Sequence, residues 1–290
     1  MGWRMYRWVW QVEAPLHLGM PPAGLLNRTR LYVPARTLLG ALTAELTRAQ
    51  AKGPLSPNDY EEVARKLGRA TRLTYLFPAQ RKEGKWLAWL PRHEEGKGLV
   101  WRREDGRGPV ADREFRRWLL TTRAGTAIDP FSDSALEGSL REHEVVQPWS
   151  RWGEGSTPEP VFLLGHVFVR GEDGGAFQVK ELFLGGETRY GLGRVRRVNL
   201  EETKRGGGFF SEVHLEGEDL EVCTQFLLAH LPAAEILKTP PASMSGALEQ
   251  IAGWQGEKPW SLSLGWAPGS ELKEGRCWRI KEDGLWSPAT

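Results

Sequence analysis

The sequence predicts an α+β fold, with antiparallel sheets and helices on one face, arranged as two ferredoxin-like (RRM-like) βαββαβ units. Three observations indicate this: an aromatic and β-branched first strand at residues 3–13, helical spacing of apolar residues at 37–50 and 218–231, and strand-type alternation through the middle of the chain. The 290 residues suffice for two units, with an expected boundary between lobe 1–125, which carries an inserted hairpin, and lobe 126–290.

Two helices are expected after the first strand. Leucines at helical spacing predict a helix over 37–50, with Thr37 as its cap. Ser56 is a capping residue and Pro57 suits a first helical position, so a second helix is predicted to run through 60–69.

The later elements follow from the same local patterns. The segments predicted as strands are 71–77, 86–90, 142–146, 160–170 and 176–184, and those predicted as helices are 111–122 and 218–231, the last closed by Pro232. The stretch 91–110 is rich in charge and glycine, which indicates an exposed hairpin or a mobile insertion.

Composition narrows the possible functions. A net charge of +2 is too small for coating nucleic acid through bulk charge, so RNA contact requires local arginine clusters. The chain has no apolar run long enough for a membrane span and no apolar region behind its N-terminus, so we expect a cytoplasmic protein without a membrane partner. Cys223 and Cys277 lack CxxC or Cys/His spacing, which predicts neither disulfide nor zinc site but two buried apolar fillers.

The most specific feature is the glycine-rich segment at 184–197, LGGETRYGLGRVRR. Glycines allow backbone amides to approach a phosphate chain, and arginines supply planar donors for phosphate. The spacing is not that of a nucleotide-binding loop. From the pattern alone, RNA binding and a glycine-containing hairpin with a solvated basic strand both remain open.

This segment resembles the glycine-rich signature of the RAMP superfamily of CRISPR-associated proteins. The matching residues are Gly185, Gly186, Gly191, Gly193, Arg194 and Val195. A second block, LHLG at 16–19 followed by YVPARTLLGAL at 32–42, is similar to the family's first strand, loop and helix start, with Ala35 in place of the usual glycine. A third block, 126–146, resembles a segment of type III effector subunits that lies near the guide RNA.

The resemblance covers about residues 3–50 and 123–198. It implies ferredoxin-like domains that assemble along CRISPR RNA within a type III effector, with target RNA and other effector subunits as further partners. The expected RNA contacts are Arg28, Arg30, Arg36, Gly185, Gly186, Arg189, Gly191, Gly193, Arg194, Arg196 and Arg197.

Catalysis is not expected. Family members that cut target RNA carry an aspartate between the first strand and the first helix, whereas residues 14–46 contain only Glu45, inside the helix, and Asn27 cannot serve as a base. Histidines lack metal-site spacing, so we expect no metal or other cofactor. The alternative is a metal-independent endoribonuclease that processes CRISPR precursor RNA with His17 as base, although its diagnostic glycine loop would lie close to the C-terminus.

The fourteen tryptophans suggest a third hypothesis, a carbohydrate-binding sandwich. The helices predicted at 37–50 and 218–231 fit that architecture poorly. Five of these tryptophans lie in the C-terminal segment: Trp254, Trp260, Trp266, Trp278 and Trp286. They are expected either to contact a neighbouring subunit or to fill the protein's own core.

Overall fold

The computed structural model describes residues 2–153, 157–203, 209–237, 244–255 and 258–289, without the side chains of 252–262. Its strands are β1 Arg4–Val12, β2 Leu26–Asn27, β3 Thr71–Leu73, β4 Phe77–Lys82, β5 Lys85–Glu94, β6 Gly98–Arg103, β7 Val110–Ala111, β8 Leu120–Gly125, β9 Ile128–Asp129, β10 Ser134–Ala135, β11 Arg141–Val146, β12 Trp149–Ser150, β13 Glu159–Pro160, β14 Phe162–Val169, β15 Glu181–Phe183, β16 Arg194–Glu202, β17 Glu212–His214, β18 Glu221–Phe226, β19 Leu231–Pro232, β20 Met244–Ser245, β21 Leu248–Gln255, β22 Lys258–Trp266, β23 Glu271–Ile280 and β24 Trp286–Pro288. Its helices are α1 Ala35–Gln50, α2 Pro57–Ala70, α3 Asp112–Leu119 and α4 Ala233–Leu237. Within these ranges, no helix is both long enough and apolar enough to cross a membrane.

A nine-stranded antiparallel sheet organises the chain, in the order β15-β16-β1-β14-β4-β5-β6-β7 with β3 also beside β14. Strand β1 lies between β14 and β16, and its residues Trp8, Val9 and Trp10 are fully buried. Every residue of β14 is buried as well. Strands β1 and β14 lie at the centre of the sheet, where other parts of the protein can cover both of their faces.

The α+β architecture with antiparallel sheets is confirmed. Helix α1 packs against β3 and β15, and α3 against β6 and β7. The central sheet crosses the expected lobe boundary at residue 125, because β1 pairs with two strands from the other side of it. The division into lobes and their ferredoxin-like topology stay predictions. Smaller sheets are formed by β2-β11-β8, in which β2 runs parallel to β11, by β17-β18-β23-β20 with β24, and by β19-β22-β21.

The two long helices lie where the sequence predicts them. Helix α1 begins before Thr37, because Pro34 takes the N-cap position with φ −59° and ψ 141°. Helix α2 begins after Ser56 as predicted. The Asp59 carboxylate accepts hydrogen bonds of 2.7 Å from both the backbone N–H and the hydroxyl of Ser56, and these bonds lower the pKa of Asp59.

The helix predicted over 218–231 is wrong, because Glu221–Phe226 forms strand β18. This strand pairs with β17 and β23, and Val222 is fully buried. Cross-strand partners distant in the chain outweigh the local helical spacing of the apolar residues. The strand predicted over 176–184 is also shortened, since a 3₁₀ turn at Ala176–Gln178 precedes β15.

The prediction for the cysteines is also wrong. Cys223 and Cys277 form a disulfide, and they lie directly opposite each other on β18 and β23. They are 54 residues apart in sequence, so their proximity depends on strand pairing and not on local spacing.

The stretch predicted as an exposed hairpin or mobile insertion extends the central sheet. Strands β5 and β6 pair within it, and Trp101 is only 2% exposed. Its indole stacks on Phe115 of α3, with ring centroids 4.6 Å apart. This packing anchors the hairpin to the core.

The C-terminal tryptophans are partly accounted for. Trp278 and Trp286 are buried and stack on each other, with ring centroids 6.3 Å apart. These two fill the core. The side chains of Trp254 and Trp260 lie outside the described part of the chain.

Candidate nucleic-acid interface

The glycine-rich segment folds back onto the loop after β1. The Gly186 N–H donates a 2.9 Å hydrogen bond to the His17 carbonyl, and the Gly193 N–H donates one of 2.8 Å to the Pro15 carbonyl. Gly185 has a φ of +81°, and a Cβ at this position would overlap the His17 carbonyl oxygen. The backbone of the protein itself therefore requires this glycine. Two sequence blocks that are far apart in the chain form one structural unit.

His17 lies beneath this segment and is 8% exposed. Its Nδ1 is 2.8 Å from the Glu144 carbonyl oxygen, so Nδ1 carries a proton and donates it. Its ring also meets the His143 ring edge to face, with centroids 5.1 Å apart. Burial and these contacts favour a packing role for His17 over proton transfer from an RNA hydroxyl.

Two of the predicted RNA contacts on β16 are paired with carboxylates. Arg194 and Arg196 are about half exposed, but Arg194 lies 2.6 Å from Glu181 and Arg196 pairs with Glu13. The side chains project from the same face of the sheet, because residues two apart in a strand do so. These carboxylates cancel much of the positive charge that an RNA phosphate would meet.

The remaining arginines of the segment differ in exposure. Arg189 is exposed in the 3₁₀ turn Thr188–Tyr190 and has no carboxylate partner among the described residues. Arg197 is half-buried and donates a 2.8 Å hydrogen bond to the Phe177 carbonyl. Burial lowers the pKa of Arg197. Arg189 is therefore the more accessible of the two.

The arginines near α1 are mostly engaged within the protein. Arg30 Nε lies 3.2 Å from a Glu249 oxygen, and Arg36 pairs with Asp283 at 2.8 Å. Arg28 is half-buried and makes no ion pair within the described ranges. Arg28 alone of these three could therefore contact phosphate without first breaking an ion pair.

A groove of about 280 Å³ lies between the glycine-rich segment and the β8–β11 pair. Arg123 is the cross-strand partner of His143, and Arg141 lies two residues before His143 on the same face. Both arginines are exposed, and neither has a carboxylate partner in the described part of the chain. Tyr190, 74% exposed, lines the groove together with Glu187. Two unpaired arginines beside an exposed aromatic ring suit a single-stranded nucleic acid.

The sequence did not single out this groove. Arg123 precedes the third block and Arg141 lies within it, and neither has a motif of its own. The only sequence pattern that could have identified them is the alternation of residues along two short strands. Their proximity to Tyr190 depends on the fold of the glycine-rich segment. The resemblance predicts a position near RNA for this block, but no pattern in the sequence identifies the basic residues that would contact it.

The hairpin β9–β10 of this block extends from the same pair of strands. Its exposed apolar side chains are Ile128, Phe131, Leu136 and Leu140. Phe131 is 97% exposed. At the tip, the Asp129 carboxylate accepts hydrogen bonds from the Phe131 N–H at 3.0 Å and the Ser132 hydroxyl at 2.7 Å. The Asp129 side chain thus stabilises the turn.

A second cavity, of about 830 Å³, lies beside the start of α1 and is lined by Arg30, Tyr75 and His230 among others. The Nδ1 atom of His230 is 2.8 Å from the Tyr75 hydroxyl, and its Nε2 is 3.2 Å from Glu249. Burial lowers the pKa of His230. Burial raises the pKa of Glu249, but hydrogen bonds and charge from His230, Arg30 and Tyr32 outweigh it and bring that pKa to about 2. The cavity wall thus contains an Arg30–Glu249 ion pair to which His230 is hydrogen-bonded.

No protein-family model and no curated protein matches the sequence. Among solved structures, the fold is similar to that of a chain in the cryo-EM structure of the type III-B Cmr-beta bound to cognate target RNA and AMPPnP. The TM-score is 0.55 at 14% identity, covering 91% of this chain and 84% of that chain. Two further Cmr-beta chains, one with cognate target RNA and one from the apo state, give TM-scores of 0.42 and 0.40 at 11% and 12% identity. These cover 68% and 69% of this chain and 96% and 98% of theirs. The first likeness shows a shared fold.

Proposed function

We propose that the protein is a non-catalytic RNA-binding subunit of a type III CRISPR effector ribonucleoprotein, which acts in antiviral defence. The observation that carries the proposal is the groove in which Arg123, Arg141 and Tyr190 meet beneath the glycine-rich segment. The family-like blocks around it and the fold shared over 91% of the chain also support it. CRISPR RNA, target RNA and other effector subunits are the proposed partners, and the proposed architecture is a pair of ferredoxin-like lobes.

In this proposal the groove contacts RNA through a few local groups. Arg123 and Arg141 bind phosphates, Arg189 adds a third contact, and Tyr190 stacks on a base. Arg194 and Arg196 contact RNA only if phosphate replaces the carboxylates that they pair with. Breaking these ion pairs requires little free energy, because the pairs are exposed to solvent. The small net charge of +2 agrees with binding through such a patch.

The assignment as non-catalytic rests on two features. The only acidic side chain between β1 and α1 is that of Glu13, which pairs with Arg196, and residues 14–34 contain none. His17, the candidate base of a processing endoribonuclease, is buried and bonded to the Glu144 carbonyl. A carbohydrate-binding role has little support, because among the described indoles only Trp149 is largely exposed.

The test is the binding and cleavage of labelled CRISPR repeat-spacer RNA across a salt series. We expect Arg123→Ala/Arg141→Ala to weaken binding and to lower the salt slope by about 0.7 for each lost phosphate contact. The matched control, Arg65→Ala/Arg69→Ala, removes two exposed arginines of α2. It should change neither the RNA affinity nor the salt slope. RNA binding that is equal in all three proteins would refute the groove, and cutting that is lost in His17→Ala would favour the processing enzyme.

A further inference from the structure

Three potential metal ligands lie together on the sheet formed by β17, β18 and β23. The side-chain ligand atoms of His214, Cys223 and Cys277 all lie within 4.8 Å of one another. These groups are not part of the RNA groove, and the proposed function makes no use of them.

Strand register explains why these side chains meet. Glu212 pairs with Cys223 across β17 and β18, and Cys223 pairs with Cys277 across β18 and β23. Directly opposed residues share a face of the sheet, and His214 shares it with Glu212 because they are two residues apart. Four potential ligands therefore project from one face of three adjacent strands.

The opposite face of these strands is fixed to the core. Val213, Val222 and Trp278 alternate with the ligand residues and are buried. The strands therefore hold their spacing on the side of the sheet that carries the ligand residues, where Cys223 is 9% exposed. His214 keeps 47% of its side chain exposed, so ions can reach the cluster from solvent.

The distance between His214 and Cys223 suits tetrahedral zinc, whereas the two sulfurs are bonded to each other and must separate on reduction. The His214 Nε2 atom lies 3.5 Å from the Cys223 Sγ atom. Two ligands at the usual Zn–N and Zn–S lengths, separated by a tetrahedral angle, lie about 3.5 Å apart. A Glu212 oxygen is also 3.5 Å from His214 Nε2, within reach of the fourth position.

We propose that the reduced protein binds one zinc ion through Cys223 Sγ, Cys277 Sγ and His214 Nε2, with Glu212 or water as the fourth ligand. The disulfide form cannot bind it, because both sulfurs must be thiolates. A phosphine reductant supplies two electrons to the S–S bond and becomes a phosphine oxide with oxygen from water, whose two protons form the thiols. Zinc then displaces these two protons.

The test uses the full chain, reduced with a phosphine and freed of the reductant without oxygen, then titrated with zinc sulfate or with cobalt as a spectroscopic probe. We expect one zinc per reduced chain, a thiolate-to-cobalt absorption band of tetrahedral type, and loss of both after oxidation. Cys223→Ser should lose zinc, and His214→Gln should lose the tetrahedral cobalt spectrum. His93→Gln, a histidine outside the cluster, should retain both.

Two results with the wild type would overturn the proposal: no stoichiometric zinc on the reduced form, or equal zinc on the oxidised and reduced forms. Because His214 is exposed, His214→Gln should fold even if a cysteine variant does not, and an unchanged cobalt spectrum in that variant would also reject the site. RNA binding is not the readout, so these outcomes are independent of the groove.

Discussion

The Gly186 N–H donates a 2.9 Å hydrogen bond to the carbonyl oxygen of His17. This bond joins the loop after β1 to the segment before β16, two regions far apart in the chain. The same segment carries Tyr190 to the groove that Arg123 and Arg141 line. We therefore expect the geometry of the groove to depend on close backbone packing at this point.

Replacing Gly185 with alanine tests that packing. The new Cβ would overlap the His17 carbonyl oxygen at a φ of +81°, so we expect Gly185→Ala to lower the free energy of unfolding by about 2–4 kcal/mol. Urea unfolding measures the loss. Gly191→Ala is the control, since Gly191 has the same φ but no atom within 4 Å of its Cβ position, and should cost only about 1 kcal/mol. Equal losses would contradict the packing explanation.

Tyr190→Ala should weaken the binding of single-stranded RNA by about 1–3 kcal/mol, because the exposed ring loses its stacking on a base. Tyr190→Phe keeps the ring and should bind nearly as well as the wild type. Fluorescence anisotropy with labelled RNA gives both affinities. If Tyr190→Ala binds with unchanged affinity, stacking on this residue is excluded.

Glu249 should contribute to stability in a pH-dependent way. Its pKa of about 2 in the folded protein lies below the ordinary value of 4.5. The ionised form is therefore stabilised by folding, and this contribution is present above about pH 4.5 and lost as pH falls toward 2. We expect Glu249→Gln to remove about 2 kcal/mol near neutral pH, allowing for partial exposure, and to flatten the acid side of the stability curve.

Urea midpoints between about pH 2 and 7 test this expectation. Glu61→Gln, which changes an exposed carboxylate of α2, is the control and should follow the wild-type curve. If the curve of Glu249→Gln runs parallel to that of the wild type throughout, the Glu249 network does not account for acid sensitivity.

Reducing the disulfide should lower the stability of the metal-free protein. The disulfide closes a loop of 54 residues and so restricts the unfolded chain. Reduction removes this restriction and should lower the free energy of unfolding by about 4 kcal/mol at most. Thermal unfolding with a chelator present, before and after reduction, measures the change. Cys277→Ala should be insensitive to the reductant, and a wild-type protein equally insensitive would contradict this role for the disulfide.

Local sequence patterns identified several elements correctly. The aromatic first strand, helices α1 and α2 and the apolar strand β14 all lie where alternation, helical spacing and capping predict them. The capping box of Ser56 and Asp59 involves residues three apart, so the sequence contains the whole interaction. The glycine-rich segment was also identified, although the structure explains Gly185 by backbone packing.

Long-range pairing decided the remainder. Residues 218–231 have helical spacing, yet Glu221–Phe226 became a strand because β17 and β23 offered hydrogen-bonding partners. The same pairing joined Cys223 to Cys277, and distant acids engaged Arg30 and Arg36.

By itself, then, the sequence determined the α+β class, the principal helices and the family-like blocks, because each depends on residues close together in the chain. Tertiary structure alone decided which arginines remain unpaired and that Arg123, Arg141 and Tyr190 share a groove. The physical reason is that ion pairs, cross-strand neighbours and grooves depend on distances between residues far apart in sequence, and local periodicity does not encode those distances.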